Sequence, residues 1–188
     1  MITTQQIIDA EEMRLLNSLI NSTWVDISGD GLTDEKLCWE SVRIETSSGA
    51  IELSFFLEVI NIAGEPDDYP WLHIRKSDTK STKALKGGRI YYHGRGEQIL
   101  EVWILRESLT NIQNGEQFFK NLADVCVAFK LGSQWISFTR AAHFSDSINI
   151  QRTTSREEIV IPDVLDEWEA DLINQFDLNQ EWIRVGNH

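Results

Sequence analysis

The chain has 188 residues, 41% hydrophobic and 25% charged, a composition that fits a folded globular domain and excludes a disordered chain. Lys and Arg total 17 against 30 Asp and Glu, a net charge of −13; phosphate repels such an anion, which argues against a general nucleic-acid binder. No apolar run approaches the roughly 20 residues of a membrane helix, so no membrane partner is expected. Residues 1–14 show neither the basic nor the apolar segment of a secretory leader. Cys38 and Cys126 are the only cysteines. With no CxxC or Cys/His spacing they predict neither a disulfide framework nor zinc, and a reducing, cytoplasmic setting is expected.

In chain order, residues 4–21 are predicted to form a helix, capped by Thr3 or Thr4, with Ile8, Leu15, Leu16, Leu19 and Ile20 on one broad face. The period then drops from 3.6 to 2. Residues 23–28 have strand composition, and residues 38–46 alternate, with Cys38, Val42 and Ile44 on one side. Ser47-Ser48-Gly49 turns the chain into the clearest strand, residues 50–62, where Ile51, Leu53, Phe55, Leu57 and Val59 share a face. Residues 64–70 read as a break and 71–75 as a short strand. Residues 89–93 and 98–106 read as a hairpin around Gly94-Arg95-Gly96.

A further hairpin pairs residues 123–131 with 134–139 across Gly132-Ser133, because a Gly-X pair suits a two-residue type II′ turn. Residues 147–152 and 158–161 are the last expected strands. Asp163 then caps a helix over 163–176, with Leu165, Trp168, Leu172 and Phe176 as its stripe. The expected fold is α+β and β-dominated, a single domain over residues 1–188. It would be one curved antiparallel meander sheet or open barrel of eight to ten strands (residues 23–161), packed with N- and C-terminal helices.

Charge is unevenly placed. Residues 1–72 hold 3 basic and 14 acidic residues, and residues 157–188 hold Arg184 against nine acids. Within residues 73–95, Arg75, Lys76, Lys80, Lys83, Lys86, Arg89 and Arg95 face Asp78 alone, and residues 96–156 balance at six of each sign. This stretch is a solvated loop on the plainest reading. Otherwise it is an anion or partner patch, or a clamp for an acidic face of the same chain or of a second copy. Tyr91, Tyr92 and His93 beside it are residues that could stack a base.

Catalytic patterns are missing: there is no GxSxG, HExxH, P-loop or GxGxxG. No catalytic, cofactor or metal residue is assigned. Asp26, Ser28, Asp30 and Asp34, with Gly31 at the turn, resemble the DxDxDGxxD loops of calcium-binding repeats. Leu37 stands where the bidentate carboxylate belongs, and an Asp-Gly turn between strands accounts for the same residues. Glu40, Arg106 and Arg140 fall in phase with apolar faces. They are read first as residues at strand ends, and otherwise as a polar floor or a buried ion pair. Trp39 and Trp103, with Phe56 and Ile60, lie on the opposite parity. A covered second face and an exposed partner patch both explain them.

Two functions follow. The first is a non-enzymatic cytosolic protein-binding module, an acidic adaptor or inhibitor of a basic partner. In the second, a helix running into Asn21-Ser22-Thr23-Trp24 and a strand meander resembles the calycin-type barrels, which open on Gly-x-Trp; Ser22 occupies the glycine position. That resemblance implies a small-ligand binder. An enzyme with no recognisable motif is the third reading, and self-association is left open.

Overall fold

A computed structural model describes residues 2–30, 37–62, 65–77, 89–91, 95–132, 134–142, 144–163, 165 and 174–186, with backbone alone at 30, 39, 40, 62, 65, 67, 89–91 and 174. Strands dominate. They are β1 (Ile2–Gln6), β2 (Trp24–Asp30), β3 (Leu37–Thr46), β4 (Gly49–Ile62), β5 (Glu65–Lys76), β6 (Arg89–Tyr91), β7 (Ile99–Gln113), β8 (Glu116–Leu131), β9 (Gln134–Arg140), β10 (Ile148–Thr153) and β11 (Asn174–Arg184). The one helix among the described residues is α1 (Ala10–Ser18).

Two antiparallel meanders, β2-β3-β4-β5 and β7-β8-β9-β10, join where β10 pairs with β3; β6 adds to β2 and β11 to β7. The sheet curls until Thr23 bridges Gln98 and Trp24 N–H donates to Glu97 O, but among the described residues no ladder closes it. The curled, largely antiparallel sheet matches expectation: among the described residues nine strands, β2 to β10, fall within residues 23–161, and β1 and β11 add two outside that span.

The N-terminal prediction needs correction. Residues 2–6 form β1, parallel to β8, instead of the first turns of a helix. Helix α1 starts later, capped by Asp9 rather than Thr3 or Thr4. The Asp9 side chain accepts from Glu11 N–H and Glu12 N–H, while Glu12 accepts from Asp9 N–H, a complete capping box. Glu12 also accepts from Ile74 N–H at 2.9 Å, so one carboxylate starts the helix and covers part of the β5 edge.

Of the predicted C-terminal helix, residues 164 and 166–173 lie outside the described residues, and Asn174 to Phe176 belong to β11. Phe176 fits both periods: it ends a helical stripe, yet it also alternates with Leu178 and Trp182 as half-buried residues along β11. Residues 64–70 are mostly strand, since β5 runs through Pro66 and Pro70 in register with β4. The expected hairpin of 89–93 with 98–106 does not form. Residues 89–91 pair with β2, and β7 pairs with β8 and β11. Residues 156–158 form a 3-10 turn in place of the last predicted strand.

The predicted β8–β9 hairpin is present, with Leu131 opposite Gln134. The longest turn-linked pair, β7–β8, is reversed by Asn114 and Gly115 at φ 52° and 81°. Positive φ at both central residues is the type I′ geometry that Asn-Gly favours.

One core joins Leu16 and Leu19 near α1 to Trp24, Leu53, Phe55, Leu72, Phe129, Phe138 and Ile150. Trp24 meets Phe129 edge-on at 5.4 Å and stacks on Phe138 at 6.5 Å, filling the curl of the sheet. A second cluster uses intervening residues of the same strands, including Leu105, Cys126, Ala128 and Trp135, with Ile159 laid over them. The β7–β9 region is therefore covered on both faces.

Arg106 and Arg140 are not frayed strand-end charges. Arg140 is fully buried; it donates to Glu107 Oε2 and to the Tyr69 hydroxyl at 3.0 Å, and Gln180 donates to the other Glu107 oxygen at 2.9 Å. Burial pushes the Tyr69 phenol above its ordinary pKa, against the pull of Arg140, so Tyr69 is the neutral member of this network. Arg106 forms a two-pronged pair with buried Asp124 at 2.8 and 3.0 Å, and Asp124 also accepts from Ile8 N–H. The side chain of Glu40 lies outside the described residues.

Arg140→Met should cost about 3–5 kcal/mol, because Glu107 is left buried without its cation. The double variant Arg140→Met/Glu107→Leu should regain part of that loss. Urea unfolding of both checks this; a double variant no better than the single one contradicts it.

Candidate binding surfaces

The cationic stretch is only partly described. Arg75 and Lys76 are exposed at the end of β5, where Arg75 donates to Glu52 on the neighbouring strand. Arg95 is exposed in the turn before β7 and acts with Arg43 to lower the pKa of Asp26, which burial and Glu45 raise more strongly. Lys80, Lys83 and Lys86 lie outside the described residues, as does the side chain of Arg89. At the ends of the stretch, Arg75 therefore meets a carboxylate of this chain and Arg95 acts on another, while Lys76 is exposed.

Asp26, Ser28 and Asp30 sit in β2, which pairs with β3 on one edge and β6 on the other. An extended strand cannot wrap its own side chains around one cation, so the calcium-loop geometry does not form over these residues. Asp34 lies outside the described residues. Among the described residues, no group of three or more His, Cys, Asp or Glu is placed to hold a metal ion.

Neither cysteine is set up as a nucleophile. Cys126 is fully buried, and burial drives its thiol pKa far above the ordinary value. Cys38 donates to Ser41 O at 2.9 Å; a Cβ on Gly29 would come 2.2 Å from its sulfur, so β2 passes directly over the thiol.

A cleft of about 440 Å³ opens on the second face of the sheet, lined by Glu101, Trp103, Lys130, Trp135 and the segment from Thr154 to Glu157. That segment is tied down: Gln151 exchanges two hydrogen bonds with the Val160 backbone, and Thr154 bonds to Glu158. Arg156 rests 4.2 Å above the Trp103 ring and 5.4 Å from Trp182. Lys130 lies over Trp135 and 3.7 Å from Glu101. Both cations of the cleft are thus held by its own wall, and Trp103 is half-buried under one of them. The side chain of Trp39 lies outside the described residues.

The other surface is an arm. β3 pairs with β4 only as far as Ser41 opposite Ser54, then turns toward β10. Beyond that point, among the described residues, β4 and β5 continue as a two-stranded ribbon, Phe55 opposite Leu72 through Ile62 opposite Glu65. Tyr69 on β5 docks the ribbon onto Arg140 and Phe144, and Ile60 packs against the second cluster. On β4, however, Phe56 is 43% exposed, Leu57 44% and Val59 70%.

The sequence pattern placed Leu57 and Val59 inward with Leu53 and Phe55. Their parity is right, but the core ends at Phe55, where the neighbouring strand departs. Of the off-parity residues for which a covered face and an exposed patch were both open, Phe56 is exposed, whereas Ile60 packs against the second cluster. Between residues 55 and 72 the chain has four acids (Glu58, Glu65, Asp67, Asp68) and no Lys or Arg. The arm is apolar and anionic together. Comparison with protein-family models, with curated proteins and with solved structures gave no match for this chain.

Two measurements test these surfaces. Arg156→Ala should uncover the faces of Trp103 and Trp182 and shift tryptophan emission to the red, at a cost of about 1 kcal/mol; unchanged emission contradicts the stacked geometry. Thiol titration of the folded chain with an aromatic disulfide reagent should find neither Cys38 nor Cys126 reactive until denaturant is added.

Proposed function

We propose that this chain is a cytosolic, non-enzymatic protein-binding module, an acidic adaptor or inhibitor, and that it meets a basic protein through the β4–β5 arm. The observation that carries the reading is the exposure of Phe56, Leu57 and Val59 together at one place. Scattered apolar residues are normal on a protein surface, but a contiguous group is not. Water-facing apolar groups on both faces of a ribbon gain free energy only when another surface covers them.

The surrounding charge supports the same reading. The arm's own sequence, with four acids and no Lys or Arg between residues 55 and 72, favours a basic partner and speeds its approach. Cys38 and Cys126, both buried and in no disulfide, support the cytosolic setting.

The test is affinity capture with the full chain as bait, alongside the variants Val59→Asp and Leu57→Ser, with mass spectrometry of what is retained. The wild type should retain basic proteins in a salt-sensitive manner, and each variant should weaken the same interaction about tenfold or more. Both side chains are already exposed, so thermal unfolding should stay close to wild type. Equal retention by wild type and both variants overturns the assignment of the arm.

A further inference from the structure

We infer that the partner enters this arm as a strand: an extended basic segment with apolar side chains at alternate positions pairs with the outer edge of β4 over residues 55–60. This rests on the reading of the arm as the binding surface and adds how it binds. Among the described residues no strand pairs with β4 on that side once β3 has left at Ser41 opposite Ser54. In an antiparallel ladder every second residue turns its N–H and C=O toward a given edge. The stretch 55–60 therefore presents a short row of backbone donors and acceptors beside exposed apolar side chains.

The ribbon's other edge is not offered in the same way. Tyr69 holds the β5 side against Arg140; farther along β5, beyond the ribbon, Glu12 takes Ile74 N–H. Phe56 projects from one face of β4 and Leu57 and Val59 from the other, because neighbouring residues alternate. An added strand would thus find apolar cross-strand neighbours on both faces.

Open edges are usually guarded by lysine, proline or a bulge. Residues 55–60 read FFLEVI, and Glu58 is the one charge among them. A second copy of this chain would bring acids against acids, which is destabilising across a ladder. A segment carrying Lys or Arg would turn the same guard into an attraction. Strand addition of this kind draws affinity from main-chain bonds and specificity from alternate side chains.

The probe is a Lys-Val repeat peptide, compared with a version N-methylated along one edge, each added to the full chain. The unmodified peptide should bind and slow hydrogen exchange about tenfold or more at alternate amides between residues 55 and 60. N-methylation should abolish binding, since it removes the donors of that edge, and Glu58→Lys should weaken it. Equal binding by the methylated peptide, or binding with no protection at residues 55–60, overturns strand addition. If such binding is still lost in Val59→Asp, side-chain docking on the arm survives and the proposed function stands. Binding indifferent to Val59→Asp, Leu57→Ser and Glu58→Lys overturns both.

Discussion

The buried Arg140–Glu107 pair joins parts of the chain that are distant in sequence, and the placement of the arm depends on it. Moving two ions out of water costs several kcal/mol each, and their attraction repays this only where the geometry is good and the remaining hydrogen-bonding sites are filled. Here Tyr69 comes from β5, Glu107 from β7, Arg140 from β9 and Gln180 from β11, while buried Arg140 Nε has no hydrogen-bond partner among the described residues. Little net stability need come from such a set, because replacing a buried pair with apolar groups is often neutral. Its effect is positional: any other placement of the ribbon strips Arg140 of the Tyr69 hydroxyl. Arg106 and Asp124 tie the segment before α1 to the same sheet, through Ile8 N–H.

The ribbon follows from a divergence of partners. β3 serves two neighbours in turn, β4 over residues 41–46 and β10 at Leu37 and Cys38. A strand that changes partner in this way must leave the rest of its first neighbour unpaired. β4 runs 14 residues, well past the point where β3 leaves it, and its apolar pattern continues without a core to receive it. An exposed apolar strand edge is an aggregation hazard. Carboxylates along this arm oppose self-pairing while leaving the edge open to a cation-bearing segment. The same local composition therefore meets two demands that conflict on a neutral strand.

Much of the sheet was legible in the sequence because a period of 2 and turn chemistry are local signals. Gly132-Ser133 and Ser47-Ser48-Gly49 marked their hairpins, and residues 51–59 alternated clearly apart from Phe56. The errors came from residues that satisfy two patterns at once. Phe176 extends a helical stripe and also begins an alternating strand, and Thr3 and Thr4 are acceptable caps as well as β-branched strand formers. Better local signals were present in Asp9 with Glu12, a capping-box spacing, and in Asn114-Gly115, a type I′ pair.

Burial was legible only in part, since parity tells which residues share a face and not whether anything lies over that face. It put Arg140 in phase with the core, where it is indeed buried. It also put Val59 there, where the covering strand has gone. What separates the two is tertiary: which strand accompanies which, and for how long. No pattern within a single strand carries that information.

The net charge of −13 takes on a definite form once its parts are placed. Arg75 is paired with Glu52, and Arg95 acts on Asp26, so the described cations at the ends of the basic stretch are partly neutralised within the fold. Arg140 and Arg106 are likewise spent on carboxylates. No such cation falls in the sequence of the arm between residues 55 and 72. Long-range attraction and short-range fit then act in sequence in the proposed reading. The anionic field gathers basic segments but cannot orient them, because Coulomb attraction through water is weakly directional and fades within about 10 Å at 0.1 M salt. Orientation has to come from contacts with fixed geometry, and an unpaired strand edge supplies them: its spacing admits an extended chain and rejects a helix of the same charge.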